Sequence, residues 1–342
     1  MNSRNFSRRQ FGKTFAGSLA ASGLAVAAPH ATGSPRDLHR QVWVGSVCMA
    51  GIKDKDPKDV CTRILDRMEE MTPYRPDIIC TPETFPYANY GGKPKLPDAA
   101  EERSGPILDR FADFARRHKC YVVCSTYIKD AGKPYNAAVL LDREGHYVGE
   151  YRKICPDENE IAHGVTPGPL QPPTFDTDFG RIGMQICYDA NWYGNWHKLG
   201  DAGAQVVFYP SFFAGGMMLN SHAWMNKYYV VSSILNGDPS KIVDPLGEEI
   251  VATGRAGNWI CAPLNMDYAI IQTMDNLKKA ECITKKYGRD FRIRVLHVEA
   301  LAMVQGISGD RSVKEVLKEF DIPTTREQFA AATQLQNSRR PG

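Results

Sequence analysis

From residue 42 onward, short apolar runs alternate with segments of helical spacing, and Pro, Gly and charged residues separate them. Residues 42–48 form a continuous apolar run, the pattern of a strand buried on both faces. Residues 56–71 follow with Val60, Ile64, Leu65 and Met68 on one side of a helix. Residues 76–80 predict a second strand, and 107–118 an amphipathic helix with Leu108, Phe111, Phe114 and Ala115 inward. Strands are predicted at 121–125 and 136–141. The turn Asp142-Arg143-Glu144-Gly145 then leads into a hairpin partner at 146–152.

A Pro- and Gly-rich loop spans 155–173, a length that inside a compact domain points to function. Beyond it the pattern predicts strands at 181–187 and 205–209 and helices at 192–202 and 221–232. Short strands follow at 242–244, 250–252 and 259–264. Helices alternating with strands and hairpins imply an α/β protein with two mixed β-sheets and helices outside, a four-layer αββα sandwich. The stretch 271–342 reads as a charged, helical C-terminal extension, with one amphipathic piece at 313–320, that packs on a neighbour rather than forming its own core.

The N-terminus has a different pattern. Ser7-Arg8-Arg9-Gln10-Phe11-Gly12-Lys13 precedes a mildly apolar Ala/Gly/Ser-rich run that ends in Ala25-Val26-Ala27. A charged start, a short apolar middle and small residues at the end form an export signal, and the paired arginines resemble a twin-arginine signal. Residues 1–27 are therefore expected to be a signal peptide, 28–39 a linker, and the mature protein periplasmic or secreted.

Composition refines this picture. The 342 residues carry a net charge of +3, but residues 1–27 hold four basic residues and no acid, so the body is close to neutral. It offers no basic surface for nucleic acid. No run of about 18 uninterrupted apolar residues occurs, so no membrane-spanning helix is expected. The nine cysteines are odd in number and none show C-x-x-C spacing, consistent with mostly free, buried thiols.

Nucleotide-binding loops, H-E-x-x-H and G-x-S-x-G are absent, and the eight histidines have no metal-ligand spacing. Neither a metal nor a cofactor is expected. His163, His197 and His222 read as surface or hydrogen-bonded residues, and Asp189 as structural. Three strand ends carry the candidate chemistry: Pro82-Glu83-Thr84-Phe85, Tyr151-Arg152-Lys153, and Ile186-Cys187-Tyr188-Asp189. A carboxylate, an ammonium and a thiol that converge at strand ends would supply a base, an anion stabiliser and a nucleophile.

In this order the three motifs resemble the nitrilase superfamily of carbon–nitrogen hydrolases, over roughly residues 40–270. The resemblance implies a Glu83-Lys153-Cys187 triad, with Glu160 as a second glutamate and the backbone N–H of Tyr188 as oxyanion donor. It also implies a homo-oligomer. Lys153 is followed by Ile-Cys-Pro where the family more often has His-Leu. The Cys-Tyr-Asp context is similar to amidase and carbamoylase branches, so a small amide or N-carbamoyl (ureido) substrate is expected. The alternatives are nitrile hydrolysis, acyl transfer to an amine, or a catalytically silent binding protein. Residues flanking the triad, Tyr87, Asn89, Tyr90, Asn191, Trp192, Ser211, Phe212 and Phe213, are candidate substrate contacts beside Tyr188.

Overall fold

The computed structural model describes residues 41–90, 96–254 and 257–341. The expected signal peptide and linker lie outside the described residues. In chain order the elements are β1 (Gln41–Val47), α1 (Pro57–Met71), β2 (Ile78–Cys80), α2 (Leu96–Ala99), α3 (Pro106–His118), β3 (Tyr121–Asp130), β4 (Lys133–Leu141), β5 (Tyr147–Arg152) and α4 (Glu158–Ala162). The second half continues with β6 (Thr174–Thr177), β7 (Gly180–Met184), α5 (Tyr193–Asp201), β8 (Val206–Ser211), α6 (Gly216–Asn226), β9 (Tyr229–Ile234), β10 (Lys241–Val243), β11 (Glu249–Ala252) and β12 (Trp259–Asn265). The C-terminal part holds β13 (Tyr268–Gln272), α7 (Leu277–Tyr287), β14 (Phe291–Leu296), β15 (Leu301–Gly306), α8 (Val313–Glu319) and α9 (Thr325–Arg339).

Two six-stranded sheets form the centre, in the orders β12-β1-β2-β3-β4-β5 and β11-β10-β9-β8-β7-β6. Each has a parallel middle, β1-β2-β3 in one and β7-β8-β9 in the other, flanked by antiparallel strands. Strand alternation builds the layers. Val42, Val44, Ile78 and Cys80 face Ile182, Met184, Val206 and Phe208 across the gap between the sheets. The opposite face of the first sheet, with Val47, Ile79 and Val122, packs on Val60, Ile64 and Met68 of α1 and Phe111 and Phe114 of α3. Val207, Tyr209 and Val230 of the second sheet cover Trp196 and Leu199 of α5 and Leu219 and Ala223 of α6. This is the expected αββα sandwich, and burial of both sheet faces explains the continuous apolar runs.

Several expectations are corrected. The helix expected at 221–232 is α6, which ends at Asn226; Lys227 turns the chain in the left-handed region, and β9 begins at Tyr229. The β-branched pair Val230-Val231 belongs to that strand, where branching at Cβ packs well. The strand expected to run to Cys187 stops at Met184, and Cys187 opens a 3-10 turn. The loop 155–173 contains the short helix α4.

The stretch 271–342 is not a purely helical extension. β13, β15 and β14 form a third, antiparallel sheet, and Ile271, Ile283, Phe291, Val304, Val316 and Leu317 make a separate core with α7 and α8. No helix among the described residues is long and apolar enough to cross a membrane. All nine cysteines are free; Cys48, Cys61, Cys80, Cys120 and Cys124 are buried.

Candidate active site

The carboxyl ends of the parallel strands set the site. β2 ends at Cys80, and the chain continues through Thr81 and Pro82 to Glu83. β5 delivers Lys153, whose N–H donates to Asn136 O at 2.8 Å and extends the β4–β5 ladder by one step. That register sets Asn136 beside Lys153. Pro156 and Asp157 then start α4 with a capping box, in which Asp157 accepts from the Glu160 N–H and Glu160 accepts from the Asp157 N–H at 2.9 Å. The cap folds Glu160 back toward the lysine.

The result is a closed polar ring. Lys153 Nζ donates to Glu83 Oε1 at 2.8 Å and to Glu160 Oε2 at 2.6 Å. Asn136 Nδ2 donates to Glu83 Oε1 and to Glu160 Oε1, each at 2.8 Å. The Phe212 N–H donates to Glu83 Oε2 at 2.8 Å. Lys153 is 2% exposed and Glu83 5%. Burial pulls the Lys153 pKa down, but the charges of Glu83 and Glu160, with Cys187, outweigh it and hold the ammonium well above its ordinary value. Lys153 therefore stays a cation inside the protein.

Cys187 is partly buried and has φ +44°, in the left-handed region that a non-glycine residue rarely adopts. Burial and then the Glu83 charge push its thiol up to about 12, against Lys153, the Ser211 hydroxyl and the Phe212 backbone. The resting group is thus a thiol beside a carboxylate and an ammonium. Asp189, two residues on, is buried and holds the turn. Its carboxylate accepts from Tyr151 OH at 2.7 Å, Ile186 N–H at 3.0 Å and Cys155 N–H at 2.8 Å. It is structural, in line with the sequence reading.

The structure brings Glu83, Lys153 and Glu160 into direct contact and sets Cys187 within their electrostatic reach. Ser211 is fully buried, and its hydroxyl donates to Phe213 O while accepting from the Phe213 N–H. Tyr87 donates to Ala99 O and Asn89 to Ile52 O, so both are tied to the scaffold. Asn191 donates to Tyr188 O. Tyr188 and Trp192 pack edge to face at 5.2 Å, and Tyr90 lies beside Tyr87 at 6.3 Å. Tyr90, Trp192 and Phe212 are exposed. Cavities of about 520, 370 and 330 Å³ occur elsewhere, and no triad residue lines them.

Asn136 was missed in the sequence, where it read as the first residue of a strand. Its signal is an amide heading the apolar run 137–141, buried at 1% exposure. Among the described residues no cluster of His, Cys, Asp and Glu is arranged to hold a metal ion.

Comparison with known proteins places the chain in a family. The carbon-nitrogen hydrolase family matches residues 44–269. Human omega-amidase NIT2 is 26% identical over 220 residues, which cover 57% of this chain and 79% of that protein. Deaminated glutathione amidase of a Synechocystis strain is 28% identical over 163 residues, 40% of this chain and 60% of that protein. Among solved structures, Nit3 of Saccharomyces cerevisiae, from branch 10 of the nitrilase superfamily, superposes with a TM-score of 0.60 at 21% identity, covering 66% of this chain and 90% of its own. An amidase from Nesterenkonia sp. gives 0.58 at 20% identity, covering 68% and 92%. These two structures share the fold.

Proposed function

The chain belongs to the carbon-nitrogen hydrolase family, and from that premise we propose that it hydrolyses the C–N bond of a small amide or N-carbamoyl compound through a thioester on Cys187. The observation that carries this reading is the buried Lys153, clamped between Glu83 and Glu160 and coupled to Cys187. A cation held there at the expense of burial is poised to meet negative charge that develops on a substrate.

The chemistry follows from the residue types. Glu83 takes the thiol proton as sulfur attacks the carbonyl carbon, since the thiolate is the nucleophile and the resting thiol is protonated. The C=O π electrons move onto oxygen. Lys153 and the Tyr188 N–H receive that oxyanion, and such pre-placed donors contribute about 3–4 kcal/mol each. The tetrahedral adduct collapses, the C–N bond breaks, and protonated Glu83 hands its proton to the leaving nitrogen. Ammonia or an amine departs. Glu83 then deprotonates a water that attacks the thioester, and Cys187 leaves as thiolate to recover the proton. Glu160 keeps Lys153 in place.

The substrate contacts in this reading are Tyr188, Tyr90, Trp192 and Phe212 at the mouth, with Ser211 supporting the turn from behind. Human omega-amidase and the cyanobacterial deaminated glutathione amidase, both amidases by name, favour an amide over a nitrile. The twin-arginine motif supports export, and a homo-oligomer follows from the resemblance alone.

The test is ammonia release from a panel of small amides, ureido compounds and nitriles, with Cys187→Ala beside the wild type. Release by the wild type and none by the variant, with the acyl group found on Cys187 by mass spectrometry, is the expected result. Equal release by both proteins would remove Cys187 from the reaction.

A further inference from the structure

Glu83 and Lys153 come from the first sheet and Cys187 from the second, so the position of the thiol relative to its base depends on the conformation of one turn. That turn is strained at its first residue, because Cys187 has φ +44°. Such a conformation persists only where the surroundings over-determine it.

The surroundings do so through the turn's carbonyl oxygens. Tyr209 OH donates to Cys187 O at 2.7 Å, and Asn191 Nδ2 to Tyr188 O at 3.0 Å. Trp196 Nε1 donates to Asp189 O at 3.0 Å, and His222 Nε2 to Ala190 O at 2.9 Å. Every carbonyl from Cys187 to Ala190 thus accepts a side-chain donor. Tyr209 stands on β8, Trp196 on α5 and His222 on α6, so three separate elements grip the turn.

His222 is the unusual member. It is 5% exposed and sits on α6 among Leu219 and Ala223, positions that otherwise face an apolar core. Its ring stacks on the Trp196 indole at 4.0 Å and 4°, with Tyr193 near parallel at 6.1 Å. Ala190 O can only accept, so the ring carries its proton on Nε2. Nδ1 is buried and has no partner among the described residues. A histidine that leaves one nitrogen unpaired in an apolar layer is explained by what its other nitrogen holds.

We propose that the stacked Trp196–His222 pair is a positioning device for the nucleophile, with His222 coupling α6 to the turn that aims the Cys187 sulfur at Glu83 and Lys153. This rests on Cys187 being the nucleophile. His222 touches neither substrate nor the sulfur; it acts through Ala190 and the strained turn. Loss of its donor leaves Ala190 O unpaired and lets the turn relax, which moves the sulfur off its line of attack.

The experiment compares His222→Phe, which keeps a ring against Trp196 and removes the donor, with His222→Gln, which restores an N–H of similar reach. Two readouts are taken well below the melting temperature. One is the rate at which iodoacetamide alkylates Cys187, resolved by peptide mass spectrometry, with exposed Cys282 as internal reference. The other is kcat and KM for the amide that the wild type turns over.

In His222→Phe both the Cys187 alkylation rate and kcat fall about 10- to 100-fold. KM stays within about threefold, because a positioning loss spares ground-state binding. His222→Gln recovers most of the lost rate, and Cys282 reacts alike in all three proteins. A merely structural histidine would lower the melting temperature in both variants and leave the alkylation rate alone. Wild-type rates in His222→Phe, or a His222→Gln no faster than it, overturn the proposal. If His222→Phe does not fold, Trp196→Phe keeps an aromatic stack, removes the donor to Asp189 O and carries the same expectation. Turnover retained in Cys187→Ala would instead overturn the nucleophile reading itself.

Discussion

The first sheet assembles its share of the site with charge, and the second assembles its share with backbone. Around Lys153, carboxylates and an amide close a ring of side-chain contacts between 2.6 and 2.8 Å. Around Cys187 the contacts are neutral donors on peptide oxygens, with a left-handed residue at the start. The two halves place cost differently. Buried charges are tolerable only while all partners are present. A strained turn is held by several hydrogen bonds, so losing one shifts where the sulfur points more than it lowers the stability of the whole fold. The first half should therefore link stability and activity, and the second should separate them.

The largest effect that breaks this contrast open is Lys153→Met. It leaves Glu83 and Glu160 facing each other in a buried site without a cation. Breaking a buried ion pair from one side costs about 3–5 kcal/mol, so urea denaturation should show a drop of that order together with complete loss of ammonia release. Cys187→Ala should lose turnover as fully but keep its unfolding free energy within about 1 kcal/mol of the wild type. If Lys153→Met retains wild-type stability, the ring does not support the fold and the contrast collapses.

Asn136→Leu comes next. Glu160 Oε1 has Asn136 as its hydrogen-bond donor, whereas Glu83 Oε1 keeps Lys153. Removing the amide should cost about 1–3 kcal/mol, the penalty for leaving a buried acceptor unpaired. The rate should fall with it, since the base and the ammonium lose their common support. A stable Asn136→Leu protein with unchanged kcat would show that Lys153, with the backbone N–H groups of Phe212 and Asp157, holds both carboxylates without the amide.

How far the sequence foretold these two halves follows from where their information lies. Glu83, Lys153 and Cys187 are each a polar residue within three positions after the end of an apolar strand, a local signal readable in a few letters. Asn136 is legible only once β4 and β5 are in register, because its role is to lie beside Lys153. The donors on the Cys187 turn come from β8, α5 and α6, so no linear spacing links them. The third sheet was hidden by composition. β14 reads Phe-Arg-Ile-Arg-Val-Leu, a period-2 alternation whose arginines made the stretch look like a charged helix. The strand β9 was lost in the apolar end of α6, where the break is the single left-handed Lys227.

A pH series sharpens the second half. Burial raises the Asp189 pKa to about 6, although Tyr151, Ile186 N–H and Cys155 N–H all favour the carboxylate. The folded value lies above the unfolded one, so this group's contribution to stability is fully present below about pH 4 and lost as pH rises through about 6. Activity should run the other way. Only the charged carboxylate accepts from all three donors at once, so the turn tightens and kcat rises through about pH 6. Asp189→Asn, which cannot ionise, should remove this step from both curves. If kcat and stability changed with pH in the same direction in the wild type and identically in Asp189→Asn, the carboxylate would not be what holds the turn.

The smallest effect tests where the two halves meet. Phe212 follows β8 of the second sheet, yet its N–H donates to Glu83 Oε2 of the first at 2.8 Å. Its ring is 56% exposed, and in the proposed reading it is a substrate contact. Backbone and side chain therefore have separate jobs. Phe212→Ala keeps the N–H and removes the ring, so kcat should stay near the wild-type value while KM rises by about threefold to tenfold, the loss of a partly exposed apolar contact. Phe212→Pro removes the N–H and should lower kcat, because one carboxylate oxygen of the base then lacks its fixed donor. A fall in kcat in the alanine variant, with KM unchanged, would mean that the ring rather than the peptide group carries the coupling between the sheets, and the division between a charged half and a backbone half would not extend to their junction.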